Sequence, residues 1–257
     1  MSAPLARSEG APPGAGAARD AEARPARASA GARGYAAAVG AIVLKDLRAE
    51  WRSREMLTSM LLFSLLIVVL FHFAFESDRE GMRRIAPGML WMAFAFAGIL
   101  GLNRSFAVEK ERGSLSGLLL APVERSAIYL GKLLSNLCFL SIVEIVTFPV
   151  FAVLLDVPLA AVVPEIALVA FLGSLGYTAV GTLFAGISAN ARMREVLLPL
   201  LLFPIEVPIL LGAMRTTGEA ITRGSLAGVR GWVNLMGAFD ILFVVAGLLL
   251  FEFVLEE

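Results

Sequence analysis

Six stretches of about 20 apolar residues set the first limit on this chain, because a helix needs roughly that many residues to cross a hydrocarbon layer of about 30 Å. They are Met56–Phe75, Ile85–Leu102, Leu133–Leu155, Ile166–Ala189, Val196–Met214 and Trp232–Phe251. This pattern predicts an all-α, polytopic membrane protein with six transmembrane helices. The composition agrees: 58% of the residues are hydrophobic and 17% charged, whereas soluble domains carry about a quarter charged residues.

Acidic and basic residues balance at 22 each, so no whole-chain field points to nucleic acid, and only the placement of charge informs. The single cysteine, Cys138, excludes an internal disulfide framework or a Cys-based zinc site. Lys and Arg concentrate in cytoplasmic connections of membrane proteins. Nine precede the first span, five follow the second and two follow the fourth, sixteen in all, against six on the other side: Arg79, Arg83, Arg84, Arg215, Arg223 and Arg230. Both termini are therefore expected in the cytoplasm, together with the connection between spans two and three.

Residues 1–34 are rich in Ala, Gly, Pro and Arg and read as a disordered tail, leaving 35–257 as the membrane domain. Between Tyr35 and Glu55, Val39, Ile42, Val43, Leu47 and Trp51 share one helical side, and Lys45, Arg48, Arg52 and Glu55 another. Such a helix suits the lipid headgroup layer. A plain extension of the first span has the same periodicity.

A transporter needs an energy source, and the chain carries no nucleotide site of its own. Its Gly131-Lys132 pair is followed by leucine and lacks the glycine of a phosphate-binding loop five positions earlier. Hydrolase and metalloprotease patterns are absent too, so no enzyme is expected. His72, the single histidine, is a weak candidate for holding a metal or haem iron, and an interfacial side chain is the blander alternative.

Three carboxylates fall inside spans: Glu144, Glu206 and Asp240. A charge at a helix centre costs about 2.5–3.5 kcal/mol on insertion scales, so such groups face a bundle interior, a cavity or a partner. Glu206 is flanked by Pro204 and Pro208, each of which frees a backbone carbonyl four residues back. Two alternatives stay open: a cargo path or gate built from these five residues, or carboxyls hydrogen-bonded between helices. Small residues also form ridges, Gly173, Gly181, Ala185 and Ala189 in span four and Ala93, Ala97 and Gly101 in span two. They allow close packing, either within the chain or against a second copy.

The connection after span two reads EKERGSLSGLLLAPVERS, Glu109–Ser126. Ser114 is a good N-cap, Leu115, Leu118 and Leu119 share one helical face, and Pro122 ends the run. Exposed leucines gain nothing from water, so they should enter a groove on another protein or return to the bilayer.

The stretch FAVEKERGSLSGLLLAPVERSAIYLGK, Phe106–Lys132, resembles the coupling region of type-2 ABC exporter permeases, with Glu111, Arg112, Gly113, Ser114, Leu115, Leu118, Leu119 and Pro122 on the positions of that pattern. Together with RIAPGMLWMAF (Arg84–Phe94) and LLPLLLFPIEVP (Leu197–Pro208), it is similar to the CcmB family. That resemblance implies a permease subunit of the bacterial inner membrane that serves haem export in cytochrome c maturation. ATP would be bound by a cytosolic CcmA-like subunit, with CcmC-like and CcmD-like membrane partners. ATP hydrolysis would be coupled either to haem transfer, with haem as cargo, or to release of a haem-loaded partner, and no covalently bound cofactor is expected. Ser116 stands where relatives often carry Glu, and the first 34 residues are extra to the family's usual length. The rival functions are a type-2 permease for a lipid, polysaccharide or drug, and a proton-coupled secondary transporter relaying protons through the three carboxylates.

Overall fold

The computed structural model describes residues 15–75, 79–111, 124–156, 162–188 and 193–254. Seven α-helices occur among them: α1 (Ala15–Ser53), α2 (Glu55–Ala74), α3 (Arg79–Glu111), α4 (Arg125–Leu155), α5 (Val163–Ser188), α6 (Arg194–Arg223) and α7 (Arg230–Val254). No strand occurs among the described residues. Helices α2 to α7 are each long and apolar enough to cross a membrane, so the six predicted spans are all found. Helix α1 begins at Ala15, inside the segment expected to be a tail. Its alanines, which offer no core, are also the strongest helix formers.

The spans outrun their apolar cores. Helix α3 continues nine residues past Leu102, and α4 starts eight residues before Leu133. No proline or glycine interrupts Asn103–Glu111, so the helix propagates beyond the hydrophobic limit. At 33 and 31 residues, α3 and α4 reach about 50 Å and 46 Å, well over a hydrocarbon layer. Residues Arg112–Val123, which hold most of the expected coupling positions, lie outside the described residues, and of Glu111 only the backbone is described.

Helix α6 stays helical through Pro199, Pro204 and Pro208. Each proline removes one backbone donor, and the surrounding turns keep the rest. It ends at Gly224, whose φ of 65° places it in the left-handed region and whose N–H donates to the Ala220 carbonyl at 2.9 Å. Glycine is the residue that adopts this cap without a Cβ penalty.

Helix α5 lies at the centre, packed against α3, α4, α6 and α7. Its small residues accept large partners: a Cβ on Gly173 would strike the Trp91 ring, and one on Gly181 would strike Leu102. On α3, Gly98 makes room for Tyr177 and Gly101 for Met60 of α2. With Ala93, Ala97 and Ala185 all buried, the described small-residue ridges pack within the chain; Ala189 lies outside the described residues. Interhelical hydrogen bonds add to this packing. Ser64 and Thr147 meet at 3.0 Å, Trp91 Nε1 donates to Thr217 Oγ1 at 2.9 Å, and Asn136 Nδ2 donates to Thr182 Oγ1 at 3.1 Å. Bonds of this kind contribute about 0.6 kcal/mol each in membranes. The outward faces of α2 (Leu62, Leu66, Leu70, Phe73) and α7 (Ile241, Leu242, Val245, Leu249) stay exposed, as lipid-facing surfaces do.

Candidate functional site

The three span carboxylates, far apart in sequence, converge on one short stretch of α5. Glu144 of α4 accepts a hydrogen bond from Ser174 Oγ. Asp240 of α7 sits against Gly176, where a Cβ would fall 2.5 Å from Oδ1 and 3.0 Å from Ile209 of α6. Glu206, 0% exposed, lies one turn before Ile209 and within electrostatic reach of Tyr177. Ser174 and Gly176 on α5 thus give the carboxyls of Glu144 and Asp240 space in the bundle interior.

Their surroundings differ. Glu144 has its hydroxyl partner, whereas neither oxygen of Glu206 or of Asp240 has a hydrogen-bond partner among the described residues. A buried polar group left without a partner costs about 1–3 kcal/mol. Pro204 and Pro208 lie on the exposed face of α6, and Glu206 lies on its buried face. The prolines and Glu206 therefore do not line one surface. No group of three His, Cys, Asp or Glu residues placed to hold a metal ion occurs among the described residues. His72, half-buried on α2, packs edge-on against Phe73, with ring centroids 5.6 Å apart.

The second concentration of polar chemistry lies where α3 ends and α4 begins. Lys132, its side chain 2% exposed, sits 2.9 Å from Asp46 of α1, over the Phe106 ring at 5.5 Å and 3.3 Å from the Ser105 carbonyl it donates to. Lys45 lies 3.2 Å from the other Asp46 oxygen. One turn beyond Asp46, Glu50 Oε1 accepts the Leu57 N–H at 2.8 Å and so caps the start of α2. Arg104 of α3 pairs with Glu55 of α2. Arg125 donates to the Glu252 carbonyl of α7 at 2.7 Å, and Tyr129 OH donates to Ala179 O of α5 at 3.0 Å. Both helices that flank Arg112–Val123 are thereby tied to the rest of the molecule.

Helix α1 packs by the expected apolar face, with Leu47 against the core, except at Trp51. Val39 and Ile42 are buried, Ile42 against Gly131, and Asp46 and Glu50 continue the same side at spacings of four. Trp51 is 74% exposed and lies off the packed face, with Arg54 over its ring at 5.7 Å. Counting apolar residues alone put Trp51 on the wrong side. The acids at Asp46 and Glu50, in register with Ile42, were the available signal.

Comparison with known proteins follows the same outline. The family model described as CcmB protein matches residues 37–254, the last part of α1 and all of α2 to α7. The chain is similar to the "Heme exporter protein B" of Rhodobacter capsulatus, 34% identical over 72% of this chain and 83% of that protein. It is similar to the protein of the same name from Paracoccus denitrificans, 31% identical over 72% and 83%, and to that from Pseudomonas aeruginosa, 26% identical over 73% and 82%. A six-span helical bundle whose sequence matches over its full membrane region belongs to the CcmB family.

Proposed function

We propose that this chain is the permease subunit of a bacterial inner-membrane haem exporter that serves cytochrome c maturation, with both termini in the cytoplasm. ATP hydrolysis occurs in a separate CcmA-like subunit, and CcmC-like and CcmD-like membrane proteins complete the assembly. The name shared by the relatives, "Heme exporter protein B", supplies the cargo. One observation in the bundle supports the coupling role: α3 and α4 both overshoot the membrane toward Arg112–Val123 and are braced there to α1, α2, α5 and α7.

The physical logic is that of a lever. Leu115, Leu118 and Leu119 dock into the ATPase, with Glu111 and Arg112 forming charge pairs at the rim of the contact. Because α3 and α4 are continuous helices, displacement of their connecting segment moves spans rather than a slack loop. Glu144 of α4, Glu206 of α6 and Asp240 of α7, with Pro204 and Pro208, would form the polar path or gate that this motion opens. Haem supplies the redox chemistry of the acceptor cytochrome; this chain's residues supply passage or release.

The test is affinity purification of the full chain from membranes, wild type beside Leu118→Asp. The wild type should bring an ABC ATPase and cytochrome c maturation proteins with it. Leu118→Asp should insert normally and lose the ATPase. Retained ATPase with unchanged cytochrome c maturation would remove the coupling role from this segment.

A further inference from the structure

At the end of the bundle opposite Arg112–Val123, a cavity of about 950 Å³ opens between α3, α4, α6 and α7. That lies at the upper end of the range for small-molecule sites, about 300–1,000 Å³. Its walls are layered. Pro87 and Gly88 of α3, Phe151 of α4 and Leu211 of α6 lie on the side toward the bundle interior, and Trp232 of α7 closes the remaining wall. About 6 Å further out, one helical turn, come Arg83 and Arg84 of α3 and Arg215 of α6, with Arg223 of α6 two turns beyond Arg215. Beneath the floor, Trp91 is fixed to Thr217, and Gly88 leaves room for Met214, whose methyl would lie 2.7 Å from a Cβ there.

Three carboxylates also line the cavity, and their commitments decide its character. Glu80 pairs with Arg84 at 2.6 Å and Glu219 with Arg223 at 2.9 Å, both along their own helices. Asp156 closes α4 in a left-handed conformation, φ 53°. Arg83 and Arg215, on facing helices, pair with no described residue. Two uncommitted guanidinium groups above an apolar floor make a site with two anion-binding points, because the planar fork of arginine matches a carboxylate or phosphate.

We propose that this cavity binds an amphiphile carrying two anionic groups on an apolar body, with Arg83 and Arg215 holding the anions and Phe151, Leu211 and Trp232 receiving the body. Resting on the permease function above, the occupant is the exported dicarboxylate tetrapyrrole at its exit from the bundle. An anionic phospholipid of the outer leaflet presents the same chemistry, and the experiment separates the two.

The full chain, with its co-purifying subunits, is placed in nanodiscs of phosphatidylcholine and titrated with haem, with haem dimethyl ester and, in a parallel arm, with phosphatidylglycerol read by native mass spectrometry. Arg83→Gln/Arg215→Gln is compared with wild type and with Arg48→Gln/Arg52→Gln at the other end. Leu211→Trp, which fills the floor, is the second probe. Haem should bind wild type saturably, and its ester about tenfold or more weaker, the loss expected when charged hydrogen bonds of about 1.5–3 kcal/mol disappear. Arg83→Gln/Arg215→Gln should bind haem as weakly as wild type binds the ester, with an unchanged thermal transition, and Leu211→Trp should weaken both ligands. Saturable phosphatidylglycerol binding lost in the arginine variant, without haem binding, would assign the site to lipid. Equal haem binding by ester and acid, by all variants, or binding of neither ligand overturns the proposal. ATPase co-purification, read on the same samples, stays intact if only the cavity assignment fails and is missing if the permease function fails.

Discussion

Gly173 shows how much one hydrogen atom decides. A Cβ there would enter the ring of Trp91, which is fully buried and bonded to Thr217, so the ring has nowhere to retreat. Overpacking of a close-packed core costs about 1–3 kcal/mol. Gly173→Ala should therefore lower the thermal transition of the detergent-solubilised protein by several degrees, and Trp91→Phe in the same chain should recover part of the loss. An unchanged transition would mean that α3 and α5 are looser than their contact implies. Glycine and tryptophan could both be read from the sequence. Their meeting could not, because they lie 82 residues apart and no local pattern pairs them.

At the scale of elements, α1 is joined to α4 by a buried ionic contact, Asp46 with Lys132. Removing one partner of a buried pair leaves the other uncompensated, at about 3–5 kcal/mol for a fully buried case; Lys45 beside Asp46 softens the loss when Lys132 goes. In a double-mutant cycle, Lys132→Met should destabilise the protein, Asp46→Asn should destabilise it more, and the pair together should cost less than the sum. Thermal unfolding measures the coupling, and strict additivity would show the two residues to be independent. The amphipathic period of α1 was legible in the sequence. Its packed face was misjudged at Trp51 because apolar counting ignores acids that find a buried partner.

For the whole molecule, the six-span order makes the connections alternate between two ends, and the Lys and Arg asymmetry predicts that the α3–α4 end is the cytoplasmic one. With Cys138 replaced by alanine, Ser225→Cys, in the exposed α6–α7 link, should react with a membrane-impermeant maleimide in intact spheroplasts. Cysteine at Glu124, exposed beside the start of α4, should react only after lysis. The reverse pattern would invert the orientation and move the arginine-lined cavity to the cytoplasmic side. The sequence by itself determined the number of spans and their all-helical nature, because an apolar run long enough to cross a bilayer must close its backbone hydrogen bonds within itself. It also placed Glu144, Glu206 and Asp240 inside spans, where a charge calls for cover by protein or a cavity. Only the tertiary structure decided that all three turn toward α5, that Asp46 reaches Lys132, and that Arg83 and Arg215 line one cavity. Those outcomes depend on the rotation of each helix about its axis, set by side-chain packing between segments distant in the chain.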